Sequence, residues 1–176
     1  MANRQALRDL QARLAERLQA ARSNATQGAS WLAVQMGGAN YLLPLEQAGE
    51  IFSWPGVLRI PYAKKWFWGV CNLRGSLMGV VDACAYLGHP VERSEQSLNE
   101  VSLLSINAAL QVNTAIVVDR LMGLRGANDL SLASDEAEIT DTDVFGASYA
   151  DSSGVVWKVL NLQHLVQQPQ FLNVRI

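Results

Sequence analysis

The sequence predicts a mainly β protein of two small lobes, preceded by one helix. From Trp31 onward, short apolar segments alternate with turns that contain glycine or proline, which is typical of barrels and sandwiches rather than of parallel sheets covered by helices. One pattern also occurs twice, since LMGVVDACAYLGHP and VVWKVLNLQHLVQQP each run from an apolar strand through Asp82 or Asn161 into a short helix and a proline. Two copies of one unit indicate two similar lobes.

The composition limits the classes of function. Of 176 residues, 49% are hydrophobic and 17% are charged, whereas a typical soluble domain carries about 25% charged residues. A large core explains that deficit, and so does a surface that a partner covers. The net charge is −2 and the sequence has no basic run or stripe, so we expect no nucleic-acid partner.

Neither a signal peptide nor a membrane-spanning segment is predicted. The N-terminal stretch is charged throughout, and no apolar run approaches the ~20 residues of a transmembrane helix. We therefore expect a cytoplasmic protein without membrane insertion. Cys71 and Cys84 lie in apolar segments without cysteine or histidine at zinc-binding spacing, so we expect small buried thiols, no metal site and no cofactor.

Residues 1–28 are predicted to form an N-terminal helix and linker, and residues 29–176 the two lobes. A narrow apolar stripe recurs every three or four residues along the helix and comprises Leu7, Leu10, Leu14, Leu18 and Ala21. Such a stripe docks on the body of the protein or pairs with another helix, in which case the chain would be a self-associating structural scaffold. The small polar segment SNATQGAS is typical of a linker.

The segments after the linker alternate between strands and turns. WLAVQM and YLLPL flank a glycine turn and predict a β-hairpin, in which Pro44 favours an edge strand or a bulge. EQAGEIFSW continues as a strand, and Pro55-Gly56 turns the chain. WFWGVCNL and SLMGVVD are the next two strands, after which the Asp82 carboxylate is placed to cap a short helix that ends at Gly88.

The second half of the chain follows a similar plan. Val91–Glu100 is a polar connection, and VSLLSI and TAIVVDRLMGL are each predicted as a strand. Leu130–Asp143 carries five acidic residues, and we expect a solvated surface loop because their spacing does not match a calcium loop. The chain closes as a strand, a turn at Asp151–Gly154, a strand and a helix.

The sequence shows no assembled catalytic group. His89 lies in a helix-ending turn and His164 in the last helix, outside any catalytic motif. GxSxG, HExxH and phosphate-binding patterns do not occur. We therefore predict that the chain is not an enzyme and has no catalytic residues.

The stretch Asn72-Leu73-Arg74-Gly75 joins two apolar strands. Asparagine and glycine tolerate turn geometry, so these four residues can form a corner that displays the arginine. The guanidinium would then bind nearby carbonyls or an acidic side chain such as Glu50, which is a structural role. Alternatively it recognises a partner, since arginine is enriched at interface hot spots. The residues alone leave both roles open.

A family resemblance bears on that choice. GVCNLRGSLMGVVD resembles the signature GVxNLRGxxxPVxDL of CheW-like domains, the adaptors of bacterial chemosensory arrays. PLEQAGEIF, AIVVDRLMGLR and VVWKVLNLQHLV resemble further strands and the closing helix of that family, so the resemblance covers about Ser30 to Val166. The leading helix and the segments QMGGANYLLPLEQAGEI and VVDRLMGLRG are most similar to the adaptor type of the chemosensory system that controls twitching motility by type IV pili.

The resemblance implies a fold and two partners. The fold is a pair of small five-stranded β-barrels with short helices, and the groove between them binds the helical cytoplasmic tip of a methyl-accepting chemoreceptor. An outer surface of one lobe binds the CheW-like regulatory domain of a CheA-type histidine kinase, so the chain is a two-component signal-transduction adaptor. By matching position, the resemblance places at or near the receptor groove Ala48, Glu50 and Leu103. It assigns support of the kinase and receptor contacts to Gly69, Asn72, Leu73, Arg74 and Gly75.

Three positions depart from the family pattern. Gly79 stands where the family usually has proline, and Ala83 where it usually has leucine. Ala48 replaces a branched aliphatic residue on the side that would face the receptor. These changes leave the expected fold intact and alter the details of the partner contacts.

Overall fold

Two β-sheets and an N-terminal helix make up the computed structural model of the chain, which describes residues 2–23, 29–133 and 144–176. The strands are β1 (Ala29–Met36), β2 (Ala39–Pro44), β3 (Ala48–Ser53), β4 (Phe67–Leu73), β5 (Ser76–Val81), β6 (Ser102–Ile106), β7 (Thr114–Val118), β8 (Arg120–Gly126), β9 (Leu130–Leu132), β10 (Phe145–Asp151) and β11 (Val156–Leu160). The helices are α1 (Ala2–Ser23), α2 (Ala83–Tyr86), α3 (Glu95–Leu98), α4 (Leu162–Gln167) and α5 (Pro169–Leu172).

The strands form a six-stranded first sheet and a five-stranded second sheet. The first has the order β8-β1-β2-β11-β10-β9, and the second has the order β3-β6-β7-β5-β4. The five strands of the second sheet are consecutive in the chain and interrupt the first sheet. The mainly β fold with two lobes is therefore confirmed. The sixth strand of the first sheet, β9, begins where a loop was predicted, because Leu130–Leu132 pairs with the end of β10.

Both sheets bury apolar side chains on both faces. A central cluster lies between them and includes Leu32 and Leu104, which are fully buried. The opposite face of the second sheet has its own cluster around Leu103, and the opposite face of the first sheet has one around Trp157. This explains why β6 reads SLLSI without a polar face, since all five residues are buried.

The repeated strand-cap-helix pattern is confirmed. Asp82 Oδ1 accepts a hydrogen bond from the Ala85 N–H at 3.1 Å, and Asn161 Oδ1 accepts one from the His164 N–H at 3.1 Å. The two caps have nearly the same backbone conformation, with φ −84° and ψ 99° at Asp82 and φ −83° and ψ 104° at Asn161. The preceding strands, β5 and β11, also make the parallel pair in their respective sheets.

The prediction of one strand over TAIVVDRLMGL is wrong, because the chain changes sheet in the middle of it. Strand β7 belongs to the second sheet and β8 to the first, and Asp119 lies between them. Its carboxylate binds Arg93 Nε at 2.6 Å and accepts a hydrogen bond from the Gly37 N–H at 2.6 Å. These contacts fix a corner that the apolar pattern does not reveal.

Three smaller differences concern the ends of elements. Pro44 ends β2, which lies between β1 and β11, so it occupies neither an edge strand nor a bulge. A proline is tolerated at this last position because the chain turns there, and the Gln47 N–H donates to the Pro44 carbonyl at 2.9 Å.

The predicted polar connection contains α3, which Ser94 caps by accepting a hydrogen bond from the Ser97 N–H. Residues 134–143 of the predicted acidic loop lie outside the described residues.

Helix α1 docks on the body. It contacts β3 of the second sheet and β8 of the first, and Leu14 and Leu18 are 8% and 2% exposed. No helix in the described ranges is long and apolar enough to cross a bilayer. Leu14 and Leu18 of the apolar stripe are therefore docked on the body, whereas Leu10 of the same stripe is 51% exposed.

Candidate functional site

The predicted arginine corner is a tight hairpin turn. Residues Arg74 and Gly75 join β4 to β5, and both have positive φ, at +50° and +86°. This is the conformation of turns that match the twist of a hairpin. The Asn72 Oδ1 accepts a hydrogen bond from the Gly75 N–H at 2.8 Å and holds the turn. The Arg74 side chain is 73% exposed, so the corner displays it as predicted.

Arg74 binds Glu50, as the structural alternative expected. Its Nη1 lies 2.6 Å from Glu50 Oε2, and the guanidinium lies 5.7 Å from the centre of the Phe52 ring. The Glu50 side chain is 45% exposed. An ion pair in this setting contributes only about 0–1 kcal/mol to stability. Both charged groups therefore remain accessible to a partner while they hold each other in place.

A bulge in β3 directs Glu50 toward the arginine. The pairing of β3 with β6 shifts register between Ala48 and Ile51. The Glu50 N–H donates to Ser105 Oγ at 2.7 Å, and the hydroxyl donates back to the Glu50 carbonyl at 3.3 Å. A Cβ on Gly49 would lie 2.2 Å from that hydroxyl oxygen, so glycine makes room for Ser105 inside the bulge. Bulges re-aim side chains in this way.

The pair also joins the two ends of the second sheet. Strands β3 and β4 are the outermost strands in its order, and the Arg74 turn follows β4 while Glu50 belongs to β3. Trp54, just after β3, packs edge-on against Trp68 of β4, with ring centres 5.7 Å apart. The sheet therefore curls until its edges meet, and Arg74 and Glu50 lie where they meet.

Gly69 matters because it has no side chain, which lets the backbone of Leu58 pack closely against β4. Its φ is +135°, and an added Cβ would lie 2.1 Å from the Leu58 carbonyl oxygen. Leu58 and Val70 exchange backbone hydrogen bonds of 2.8 and 2.9 Å, which hold the segment after Pro55 against β4. On this segment Leu58 and Tyr62 are 71% and 83% exposed.

Three of the predicted site residues have buried side chains. Ala48 and Leu103 are fully buried, and Leu73 is 6% exposed. Ala48 belongs to the central cluster, and the other two belong to the cluster on the far face of the second sheet. A buried side chain offers no surface to a partner, so Ala48 and Leu103 do not line a groove themselves. Ala48 packs in the central cluster with Leu14 and Leu18 of α1, whereas Leu103 packs on the opposite face of its sheet. Their placement at or near a receptor groove stays a prediction.

The positions that depart from the family pattern fit their surroundings. The Gly79 N–H donates to the Asn113 carbonyl at 2.8 Å, a hydrogen bond that proline could not make. Ala83, the first residue of α2, is fully buried.

The surface between the two sheets carries α1 and an open cleft beside it. Gln11 Nε2 of α1 donates to Ser102 Oγ of β6 at 2.7 Å. The cleft has a volume of about 490 Å³ and is bordered by residues of α1, β3, β6 and the β7–β8 corner. Its lining includes Leu10, Gln11, Trp54, Ser102, Leu121 and Met122.

A buried charge cluster joins the sheets behind this surface. The Arg93 side chain is 5% exposed and binds Asp82 Oδ2 and Asp119 Oδ1, each at 2.6 Å. Burial acts to lower the pKa of Arg93, but the hydrogen bonds and charges of Asp119 and Asp82 outweigh it and raise that pKa above its usual value. The guanidinium also lies 5.4 Å from the centre of the Trp68 ring. Arg93 therefore stays charged and links Asp82, at the end of the second sheet's β5, to Asp119, at the corner between the sheets.

The two thiols are buried, as predicted. Burial raises the pKa of Cys71, and burial together with the Asp82 charge raises the pKa of Cys84 to about 11. Cys84 is therefore protonated and unreactive near neutral pH. Within residues 2–23, 29–133 and 144–176, histidine, cysteine and acidic side chains form no group of three that could hold a metal ion.

Comparisons with known proteins give one consistent result. The model of the CheW-like domain family matches residues 30–170. Protein PilI of Pseudomonas aeruginosa is 30% identical over 105 residues, which cover 60% of this chain and only 57% of that protein. The crystal structure of scaffolding protein TtCheW from Thermoanaerobacter tengcongensis has a TM-score of 0.63 and 15% identity, and the match covers 81% of this chain and 95% of that one. At this identity the structural match establishes a shared fold.

Proposed function

The chain belongs to the CheW-like domain family, and we propose that it is a non-catalytic adaptor of a chemosensory system. In this role it couples a methyl-accepting chemoreceptor to a CheA-type histidine kinase in the control of twitching motility by type IV pili. It binds the helical cytoplasmic tip of the receptor and the CheW-like regulatory domain of the kinase. The similarity to PilI supports the assignment to the pilus system.

The observation that carries this proposal is the exposed Arg74–Glu50 pair. A tight turn and a bulge fix both side chains, yet 73% and 45% of their side-chain surfaces are exposed. A pair that is held in place and accessible loses little conformational entropy when it binds. Arginine in such a position is typical of an interface hot spot.

The groove between the sheets supports the receptor half of the proposal. Helices with an apolar stripe bind in apolar grooves, and this surface already holds one such helix, α1. Leu14 and Leu18 are buried against the body of their own chain and are not available for pairing in this state. We therefore do not propose a self-associating scaffold.

The test compares Arg74→Ala with Lys158→Ala in calorimetric titrations. The receptor tip and the kinase regulatory domain are titrated separately into each variant. Lys158 is the matched control, because its exposed ammonium also lies over an aromatic ring, Phe145 at 4.5 Å, but on the first sheet. We expect Arg74→Ala to weaken binding of at least one partner by about 1–3 kcal/mol and Lys158→Ala to leave both unchanged.

Circular dichroism distinguishes a lost contact from a lost fold. We expect Arg74→Ala to unfold at nearly the same temperature as the unmodified chain, because an exposed ion pair contributes little to stability. Unfolding of the variant would establish a purely structural role for Arg74. Failure of the unmodified chain to bind either partner would contradict the proposed function.

A further inference from the structure

We propose that the surface formed by β3 and β8 is a binding groove for an amphipathic helix, that α1 is its resident occupant, and that the receptor helix displaces α1 when it binds. The inference rests on the proposed function for the identity of the second helix. The groove itself and its present occupant follow from the contacts of α1.

Among the described side chains of α1, the apolar ones that are buried against the body lie in its C-terminal half. Leu14 and Leu18 lie one turn apart, join the central cluster and are 8% and 2% exposed. Leu10, one turn earlier on the same stripe, is 51% exposed and borders the open cleft. The body of the protein therefore presents an apolar site between its two sheets that accepts leucines four residues apart. Beyond this site, the cleft beside Leu10 has a mixed lining in which Trp54 and Met122 lie among polar side chains.

One hydrogen bond gives the groove a polar anchor. Ser102 is only 2% exposed, and Gln11 Nε2 donates to its hydroxyl at 2.7 Å. A buried hydroxyl without a partner is unfavourable, so a helix that replaces α1 must offer a polar side chain at this point. The occupant that fits is a helix with leucine-like residues at four-residue spacing and a polar side chain one turn before the first buried one.

Among the described side chains, two buried leucines and one hydrogen bond from Gln11 hold α1 in place. Ion pairs among the described residues connect Arg74 with Glu50, and Arg93 with Asp82 and Asp119, and none of them involves α1. Only five residues, 24–28, connect α1 with β1. Segments with few buried contacts open at lower free energy than the core. Helix α1 can therefore leave the groove while both sheets remain folded.

The Arg74–Glu50 pair stays exposed while α1 is docked. Ile51 packs against the central cluster, to which Leu14 and Leu18 also belong, whereas Phe52 packs against the cluster on the opposite face of the second sheet. Arg74 lies over Phe52 and so belongs to that opposite side of β3. A partner can thus contact the charged pair first and take the α1 site afterwards.

The test uses the full chain and two matched double variants. Leu14→Ala with Leu18→Ala removes the buried stripe, and Arg13→Ala with Arg17→Ala makes the same change four residues apart on the exposed side. If α1 is docked in about nine molecules of ten, releasing it tightens binding of the receptor tip about tenfold. We expect that gain for the leucine variant alone. Unchanged or weaker binding by this variant would overturn the inference.

A measurement on the unmodified chain removes dependence on a variant that could fail to fold. Hydrogen exchange of the α1 amides is followed with and without a saturating receptor tip. We expect α1 to lose protection in the complex while β6 keeps it. Retained or increased protection of α1 on binding would contradict displacement.

A third arm separates failure of this inference from failure of the proposed function. A labelled peptide of residues 2–23 is titrated into the unmodified chain and into the leucine variant, without any receptor. We expect the peptide to bind the variant, whose groove is vacated, about tenfold more tightly than the unmodified chain. If the receptor tip binds no form of the protein but the peptide behaves as expected, the groove is confirmed and the receptor assignment is wrong. If the peptide binds both forms equally or neither, the groove is wrong.

Discussion

The guanidinium of Arg93 binds two carboxylates that reach it from different elements. Asp82 caps α2 after the last residue of β5, and Asp119 forms the corner at which the chain passes from the second sheet to the first. The Asp119 carboxylate also accepts the Gly37 N–H from the turn between β1 and β2. One arginine therefore bridges two carboxylates at the joint between the sheets.

We expect Arg93→Ala to lower the free energy of unfolding by about 3–5 kcal/mol, because it leaves the buried Asp82 carboxylate without a counter-charge. Urea denaturation of both forms measures the difference. The control is Arg74→Ala, which removes an exposed arginine and should cost at most about 1 kcal/mol. Similar losses in the two variants would show that burial does not distinguish the two ion pairs.

The exposure of a side chain could be predicted from the sequence where a local turn determines it. Asn72 and Gly75 define a turn in the sequence, so the display of Arg74 was predictable, and Glu50 was among its expected partners. The hydrogen bonds between Glu50 and Ser105 could not be predicted from the sequence. They depend on a register shift in the pairing of two strands, and the two residues are 55 positions apart in the chain. The burial of Leu103 was not predictable from alternation either, because a strand that is buried on both faces has none.

At the scale of elements, Gly69 sets the contact between β4 and the segment after Pro55. We expect Gly69→Ala to destabilise the protein by about 3 kcal/mol, because the new Cβ meets the Leu58 carbonyl and the φ of +135° strains any other residue. The control is Gly38→Ala, which has a φ of +79° and open space around it. It should cost about 1 kcal/mol. Thermal unfolding compares the two, and equal losses would show that the backbone contact is unimportant.

Elements that follow from local chemistry were predictable, and those that follow from pairing were not. The caps at Asp82 and Asn161 and the turn at Gly37-Gly38 carry their own residue signatures. The break at Asp119 does not, since apolar residues continue on both sides and the change of sheet depends on Arg93. Strand β9 forms only because β10 lies beside it.

At the scale of the whole molecule, the central cluster couples the two sheets. Leu104 faces it and Leu103, the next residue on β6, faces the cluster that belongs to the second sheet alone. Both leucines are fully buried, and each change to alanine should cost about 2–5 kcal/mol. We expect Leu104→Ala to reduce hydrogen-exchange protection in both sheets and Leu103→Ala chiefly in the second. Identical patterns for the two variants would contradict this division of the core.

The interruption of one sheet by the other has a consequence for synthesis on the ribosome. All five strands of the second sheet have emerged once β7 is translated, whereas β2 must wait for its parallel neighbour β11. Strand β2 ends at residue 44 and β11 ends at residue 160, so at ordinary elongation rates this wait lasts roughly 6–23 s. During that time β1 and β2 form a hairpin with an unpaired side, and such sides template wrong pairing. The nascent N-terminal hairpin is therefore the segment of this protein for which a chaperone matters most.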